Sequence, residues 1–405
     1  MSEGALSGIR VVDFCWVGAG SFTTKLLADQ GADVIKIESR KKVDGIRLSP
    51  PFAGGERGVN RSGYFADRNT SKRSCTINMK SEEGQRIARE LIARSDVVAN
   101  NFTPGVMARF GLSWEEVQRF NPSIVYLAMS MQGDEGPERD YLGYGLTISA
   151  LVGLHSMTAL PGRPPVGTGT NYPDHIPNPC HGAFAVLAAL RHARRTGEGQ
   201  YIDMAQTEAT IAALGPAMLE YSVNGRDREP IGNRHERHAP HGVYPCRGED
   251  RWIAIAVTTD KQFAALVTEL DLPTDLVPPD LDAAGRHAAA DQLDQLIAER
   301  TRDEDHVELA ERLQWTGVPA GPVHDAAGVV DRDPQLAARG HWVRLHHEEM
   351  GETLYSAPPF RFSRMPAVPV RPAPMLGEHT EEVCSEVLGM PADAIQELVD
   401  DGVLV

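Results

Sequence analysis

The sequence predicts an α/β protein built around an open, mainly parallel sheet. Short apolar runs rich in β-branched residues, at 8–14 (GIRVVDF), 33–38 (DVIKIE), 96–101 (DVVANN) and 123–130 (SIVYLAMS), alternate with amphipathic stretches. That alternation is the signature of consecutive β-α-β units. Capping residues and glycines stand where the intervening helices should start and stop. No internal repeat competes with this reading.

Taken in order, GIRVVDF is a strand, the glycines of VGAGS form a turn, and FTTKLLADQG is a helix that should end near Gly31. DVIKIE is the next strand. SEEGQRIARELIARS is a capped helix, DVVANN a strand, SWEEVQRF a short helix and SIVYLAMS another strand. From Cys180 to Arg195 the text is helical. TGEG then turns the chain into YIDMAQTEATIAALGPAMLEY, a strand running into a long helix. Asn224 to Gly242 carries almost no apolar residue and predicts an exposed linker and loop. WIAIAV and the Ala- and acid-rich helices over about 250–315 suggest a second, smaller domain. Six prolines between Pro358 and Pro374 predict an extended crossing, because proline fixes φ and lacks a donor.

Composition narrows the function. The 405 residues hold 40 Lys and Arg against 56 Asp and Glu, a net charge of −16, so nucleic acid is a poor partner. The longest apolar stretch, Gly182 to Leu190, stops at Arg191, short of the roughly 18–20 residues a membrane helix needs. Five scattered cysteines without a CxxC pair suggest neither a disulfide framework nor a thiolate zinc site. With no secretory pattern at the N-terminus, a reducing, cytoplasmic location is expected.

Four segments carry chemistry. Gly18-Ala-Gly20 with Glu38 imitates a dinucleotide fingerprint, but Thr23 stands where the third glycine belongs. The alternatives are a plain β-α-β turn or a helix N-terminus that receives some other phosphate- or adenine-bearing ligand. His235, His238 and His241 with Glu236 suggest metal by spacing, yet their Pro- and Gly-containing loop favours a polar loop, and no metal is expected. Asp174, in YPDHIPNP, stands among three prolines just before the most apolar helix. It reads either as a turn or N-cap aspartate or as a carboxylate nucleophile, and a helix N-terminus beside it would favour its ionised form. Asn101 and Phe102, followed by Arg109, close a strand: an amide and an aromatic for a nucleobase, and an arginine for a phosphate. The plain alternative is a surface turn with a buried Phe.

Together these residues resemble the class III CoA-transferase family, which includes formyl-CoA transferase and carnitine CoA-transferase. The blocks that carry the resemblance are LSGIRVVDF, LLADQGADVIKIE, KRSCTINMKSEEG, NNFTPGVMARFGL, Asp174 through TGEGQYIDM, GVPAGPV, DPQLAARG and PMLGEHTEEV. The resemblance implies a large Rossmann-like α/β domain from 1–223 and 326–405, a smaller α+β domain over 224–325, and an interlocked homodimer, with a hetero-oligomer as the alternative. It implies that Asp174 exchanges CoA between acids through an aspartyl anhydride and an aspartyl-CoA thioester. CoA or acyl-CoA is then a substrate, no cofactor is permanently bound, and the other partner is a small carboxylic acid.

By the same resemblance, Ala19, Ile77, Lys80, Asn101, Phe102, Arg109 and Tyr144 contact CoA. Lys80 and Arg109 are the local positive charge that an acidic protein needs for a polyphosphate ligand. Trp16, Gly18, Leu142 and Ser39 depart from the formyl-transferase pattern, which weakens a formyl or oxalate assignment. WVGAGS and YPDHIPNP resemble members whose acceptor is an aryl- or alkyl-substituted carboxylic acid, such as a succinate derivative, with succinyl-CoA as donor. Two other readings follow from the resemblance. One is α-methylacyl-CoA racemase, in which Gly143-Tyr144 replaces the expected Gly-His and only His155 or His175 could stand in. The other is a non-catalytic CoA-binding subunit, against which Asp174 argues. The loop Asn233–Gly242 falls where a glycine-rich loop covers the intermediate in formyl-CoA transferase, so a covering role is expected of it.

Overall fold

The computed structural model describes residues 4–365 and 370–405. Part of the expected proline-rich crossing, 366–369, lies outside the described residues. The chain forms two units, one made of 1–155, 167–227 and 337–405, the other of 156–166 and 228–336.

The first unit is organised by six strands: β1 (Arg10–Asp13), β2 (Asp33–Glu38), β3 (Arg73–Thr76), β4 (Val97–Asn100), β5 (Val125–Ala128) and β6 (Gln200–Asp203). They form one parallel sheet in the order β3-β2-β1-β4-β5-β6. β1 and β4 are spatial neighbours, with Val12 opposite Val98. The connections reverse direction between them, and ligands of open α/β sheets bind in the crevice outside the strand ends at such a point.

Helices cover both faces, so the inner strands read as continuous apolar runs rather than as alternations. On one face α1 (Ala19–Ala28) packs with the long Pro177–Thr196 helix: Val11, Leu27, Ala28, Ala183, Val186 and Leu190 share a core. On the other, Ile87, Leu91 and Ile92 of the Glu82–Ala93 helix meet Val12, Ile35 and Val98. The C-terminal residues Val383, Ile395 and Leu404 close that second core. The Thr76 N–H donates to Thr380 Oγ1 at 3.0 Å and the Asn78 N–H to the Val403 carbonyl at 2.7 Å, which ties the tail to β3.

The parallel α/β architecture predicted from sequence is present, with two local differences. β3, with the sequence RSCT, was not legible as a strand. Its polar side chains are satisfied internally: Arg73 reaches Asp33 at 2.7 Å and Ser74 donates to Glu38 at 2.7 Å. The single long helix expected after β6 is two, Gln206–Ala212 and Gly215–Asn224. Pro216 starts the second, because proline fits a first helical turn and breaks an interior.

In the second unit, β7 (His241–Pro245), β8 (Trp252–Ala256) and β9 (Ala320–Val323) form an antiparallel sheet. Ile253 and Ile255 of β8 alternate with exposed neighbours and pack with Phe263, Leu266, Leu293 and Leu313 of the covering helices. Among the described residues no helix is long and apolar enough to cross a membrane.

Candidate active site

The site begins where β1 and β4 end. The turn after β1 is held at several points. Trp16 N–H donates to Asn101 Oδ1 at 2.8 Å, and Asn101 Nδ2 donates to the Trp16 carbonyl at 2.7 Å. Val17 N–H donates to Asp44 Oδ1 at 3.0 Å. Val17 has φ of 60°, a left-handed conformation that a β-branched residue adopts only under constraint. The turn delivers the chain into α1, whose first N–H groups have no intrahelical acceptor.

Beneath the turn lies a buried charged layer. Lys72 Nζ donates to Asp13 Oδ2 and the Asn69 amide oxygen, both at 2.9 Å, and to Thr24 Oγ1 at 2.8 Å. Lys36 pairs with Asp44 at 3.1 Å. Burial alone would raise the Asp13 carboxyl, but the Lys72 and Lys36 ammonium groups outweigh it and hold Asp13 below its ordinary range. Asp44 thus joins this layer to the strained Val17.

Asp174 closes the site from the opposite side. It lies in a short helical turn, Tyr172–His175, directly before the Pro177–Thr196 helix. It does not cap that helix: Ile176 occupies the capping position, without a side-chain hydrogen bond. Instead Asp174 Oδ2 accepts from the Gly145 N–H at 3.2 Å, at the start of the Gly145–Leu151 helix. The side chain is 3% exposed. Burial raises its carboxyl to about 6, against the lowering pull of the Gly145 N–H and the Arg68 guanidinium. The expectation that a helix terminus would favour the charged form is thus outweighed by desolvation.

Glycines make room for this carboxylate. A Cβ at Gly18 would lie 3.0 Å from Asp174 Cβ, and one at Gly145 would lie 3.0 Å from Oδ2. Next to it, His175 Nε2 lies 3.4 Å from the Tyr64 hydroxyl and Nδ1 lies 2.9 Å from Thr170 Oγ1. Burial, helped by Arg68, pushes His175 down to about 4, so it is neutral at pH 7.

Asp174 opens onto a cavity of about 350 Å³ whose walls include Trp16, Phe102, Met131 and Tyr144. Ala19 and Asn101 line it as well, so five of the sequence-predicted residues, Asp174, Ala19, Asn101, Phe102 and Tyr144, meet in one place. Ile77 is fully buried in the core beyond the end of β3. Lys80 and Arg109 are exposed in the segments that follow β3 and β4, outside the cavity lining. Sequence reasoning missed Gly145, Lys42, Tyr64, Arg68 and Asp44, which reach the site from parts of the chain with no motif of their own.

Two other sequence patterns resolve differently. Glu38, the candidate ribose acid, is buried in a two-bond pair with Arg47 at 2.8 and 2.7 Å and also accepts from Ser74. It has no free face for a ribose. The close packing that a third glycine would allow is supplied by Gly182, where a Cβ would sit 3.0 Å from Thr23 Cγ2. In the second unit, the His235 and His238 rings are stacked at 4.4 Å. Stacking sets ring faces together rather than converging their nitrogens, and among the described residues no group of three or more His, Cys, Asp or Glu is placed to hold a metal ion.

The model of CoA-transferase family III matches residues 6–380. The chain belongs to that family. This family III CoA-transferase is 34% identical over 400 residues to the succinyl-CoA–L-malate CoA-transferase beta subunit of Chloroflexus aurantiacus, covering 97% of this chain and 96% of that protein. It is 33% identical over 386 residues to the succinate–glutarate CoA-transferase of Agrobacterium fabrum, covering 94% and 95%. Among solved structures, a CAIB/BAIF family protein from Brucella suis superposes with a TM-score of 0.85 at 32% identity, covering 95% of this chain and all of that one. The fold and the enzyme class are thereby established.

Proposed function

We propose that this enzyme moves CoA from succinyl-CoA, or a closely related acyl-CoA, to a small carboxylic acid, with Asp174 as covalent nucleophile. One observation carries the reading: a carboxylate 3% exposed, oriented by a backbone N–H, at the edge of a cavity fed by the sheet's switch point. The relatives named for succinyl-CoA, malate and glutarate supply the substrate class.

In the first step the Asp174 carboxylate attacks the donor thioester carbonyl carbon. The C–S bond breaks, CoA leaves as thiolate, and a mixed anhydride remains. The thiolate then attacks the aspartyl carbonyl carbon, which expels the donor acid as carboxylate and leaves an aspartyl-CoA thioester. The acceptor carboxylate repeats the sequence in reverse and Asp174 returns as a carboxylate. The overall exchange trades one CoA thioester for another of similar energy, with the anhydrides as higher-energy intermediates, and no net proton moves. Desolvation strengthens the nucleophile, while the Gly145 N–H orients it. Buried Met131 and half-buried Trp16 and Phe102 limit the approach of water to the hydrolysable intermediates.

For CoA itself, Lys80 and Arg109 supply positive charge to the phosphates from the loops after β3 and β4, and Phe102 borders the adenosine. Ile77, buried in the core, has no face for a ligand and only packs behind this region. Ala19 offers an N–H of α1's first turn, and Tyr144 flanks the pantetheine. Asn101, with both ends of its amide on Trp16, acts by fixing the turn. The enzyme is proposed to work as a cytoplasmic homodimer. Relatives named as alpha and beta subunits make the hetero-oligomer the competing arrangement, and mass photometry of the purified chain separates the two.

The test is to incubate the protein with succinyl-CoA, trap with hydroxylamine or borohydride, and map the modified residue by mass spectrometry. Modification at Asp174, absent in Asp174→Ala, supports the mechanism; full CoA exchange by Asp174→Ala overturns it. Deuterium entering the α-carbon without CoA exchange would favour the racemase.

A further inference from the structure

The cavity at Asp174 has a distinctive charge inventory. Among the described residues that line it, Lys42 is the only cation and Asp174 the only acid. The neutral polar groups nearest the reacting carboxylate are already committed. Asn101 spends both ends of its amide on the Trp16 backbone. Gln206 donates to the Met129 carbonyl at 2.9 Å and accepts from Asn178 at 3.3 Å. An anionic group that enters the cavity therefore finds one side chain of opposite charge, Lys42, beside neutral donors such as the Thr103, Tyr141 and Tyr144 hydroxyls and the Ala19 N–H.

Lys42 is also placed, though not locked. Its ammonium lies 5.3 Å from the centre of the Trp16 ring, and Trp16 is itself edge-on to Phe102 at 6.1 Å. Because Asn101 fixes the Trp16 backbone, the platform under the ammonium is set by the fold. An exposed cation–π contact is weak, so the lysine can leave the ring for a ligand without a large loss.

From this arrangement, and resting on the acid-exchange reading above, we propose that Lys42 is the specificity residue that holds the second carboxylate of a dicarboxylic substrate while the first carboxylate reacts at Asp174. A dicarboxylate with one end bound in covalent linkage at Asp174 still carries a charge two or three carbons away. Among the described lining residues, Lys42 is the one side-chain cation that this charge can pair with. The ammonium supplies the pair, and a monocarboxylate of equal length gains nothing from it. Lys42 thus sorts dicarboxylates from simple fatty acids.

The experiment compares wild type with Lys42→Gln and Lys42→Arg, using glutarate and pentanoate as acceptors of equal length. Calorimetric binding of each acid is measured alongside turnover. Since Lys42 is exposed, folding should survive both substitutions. Lys42→Gln is expected to lower glutarate affinity and kcat/KM by roughly tenfold or more, as for a lost charge-assisted bond, while pentanoate changes by less than about twofold. Lys42→Arg should recover most of the glutarate preference.

Equal losses for both acids, or no loss for either, would overturn the assignment. So would a defect that appears as a raised KM for succinyl-CoA and disappears with its 3′-dephospho analogue, which would make Lys42 a phosphate contact. The binding arm does not depend on turnover. Failure of wild type to transfer CoA would therefore sink the acid-exchange reading, whereas failure of the glutarate-selective binding change would sink the role of Lys42.

Discussion

Asp174 Oδ2 accepts a hydrogen bond from the Gly145 N–H at 3.2 Å, and position 145 has no room for a side chain. A Cβ there would approach Asn171 Cβ to 2.7 Å as well as the carboxylate itself to 3.0 Å. Gly145→Ala must therefore displace the Asp174 turn or the start of the 145–151 helix. A displacement on the order of 1 Å at a reacting group lowers rate by about 10²-fold. The expected result is that loss in kcat with an unchanged far-UV circular dichroism spectrum; a fully active Gly145→Ala would show that the contact is dispensable.

The pH dependence follows from the state of Asp174. Its carboxyl stands at about 6 because of burial, and only the carboxylate can attack a thioester. With rising acidity the nucleophile is lost, so kcat/KM should fall tenfold per pH unit below about 6. Asp174→Glu, if active, should shift that limb. A profile flat down to pH 4.5 would contradict the role.

The same burial affects stability, with a definite sign. The folded-state carboxyl lies above its ordinary value of 3.8, so the folded state binds a proton that the unfolded state has released between pH 4 and about 6. Stability therefore falls as pH rises through that window, and the penalty is fully present above it. Asp174→Asn removes the penalty. It should be more stable than wild type at pH 8 by roughly 1–3 kcal/mol, and the gap should close near pH 4. Urea denaturation at the two pH values measures it.

Asn101 holds both backbone polar groups of Trp16. Asn101→Ala releases the turn that carries the strained Val17. Loss of two partly buried hydrogen bonds should lower stability by about 1–3 kcal/mol. Activity should fall further than that stability loss explains, because Gly18 packs against Asp174 from the same turn. Parallel measurement of kcat and thermal midpoint separates the two effects.

Lys72 is buried with four oxygen partners, Asp13 foremost. Lys72→Met removes the nearer of the two ammonium groups that compensate Asp13 and leaves only Lys36, which costs up to about 3–5 kcal/mol. The double variant Lys72→Met with Asp13→Asn should recover part of that loss. Thermal melts of the single and double variants form the cycle.

Much of the first unit was legible because its determinants are local. VVD, VIKIE and VVAN are β-branched runs bounded by turns, and Ser113 with Glu116 spells a capping box that forms as written. β3 was hidden because Arg73 and Ser74 find their partners on β2 and, for Arg73, on Glu382 in the Thr380–Glu386 helix. Glu38 kept the spacing of a ribose-binding acid, yet Arg47, nine residues on, claims it. Lys42 carried no motif at all and enters the site only through the fold.

For Asp174, the sequence determined the residue type, the three flanking prolines and the apolar helix that follows. These are properties of a short stretch of chain. Tertiary structure decided what the carboxylate does there. Its burial, its bond to an N–H 29 residues away and the glycines that let two other segments approach it come from remote parts of the chain. Desolvation depends on every atom that excludes water from a group. An aspartate that looked like a helix cap from its neighbours is thereby made a buried carboxylate near pH 6 by residues its own segment does not contain.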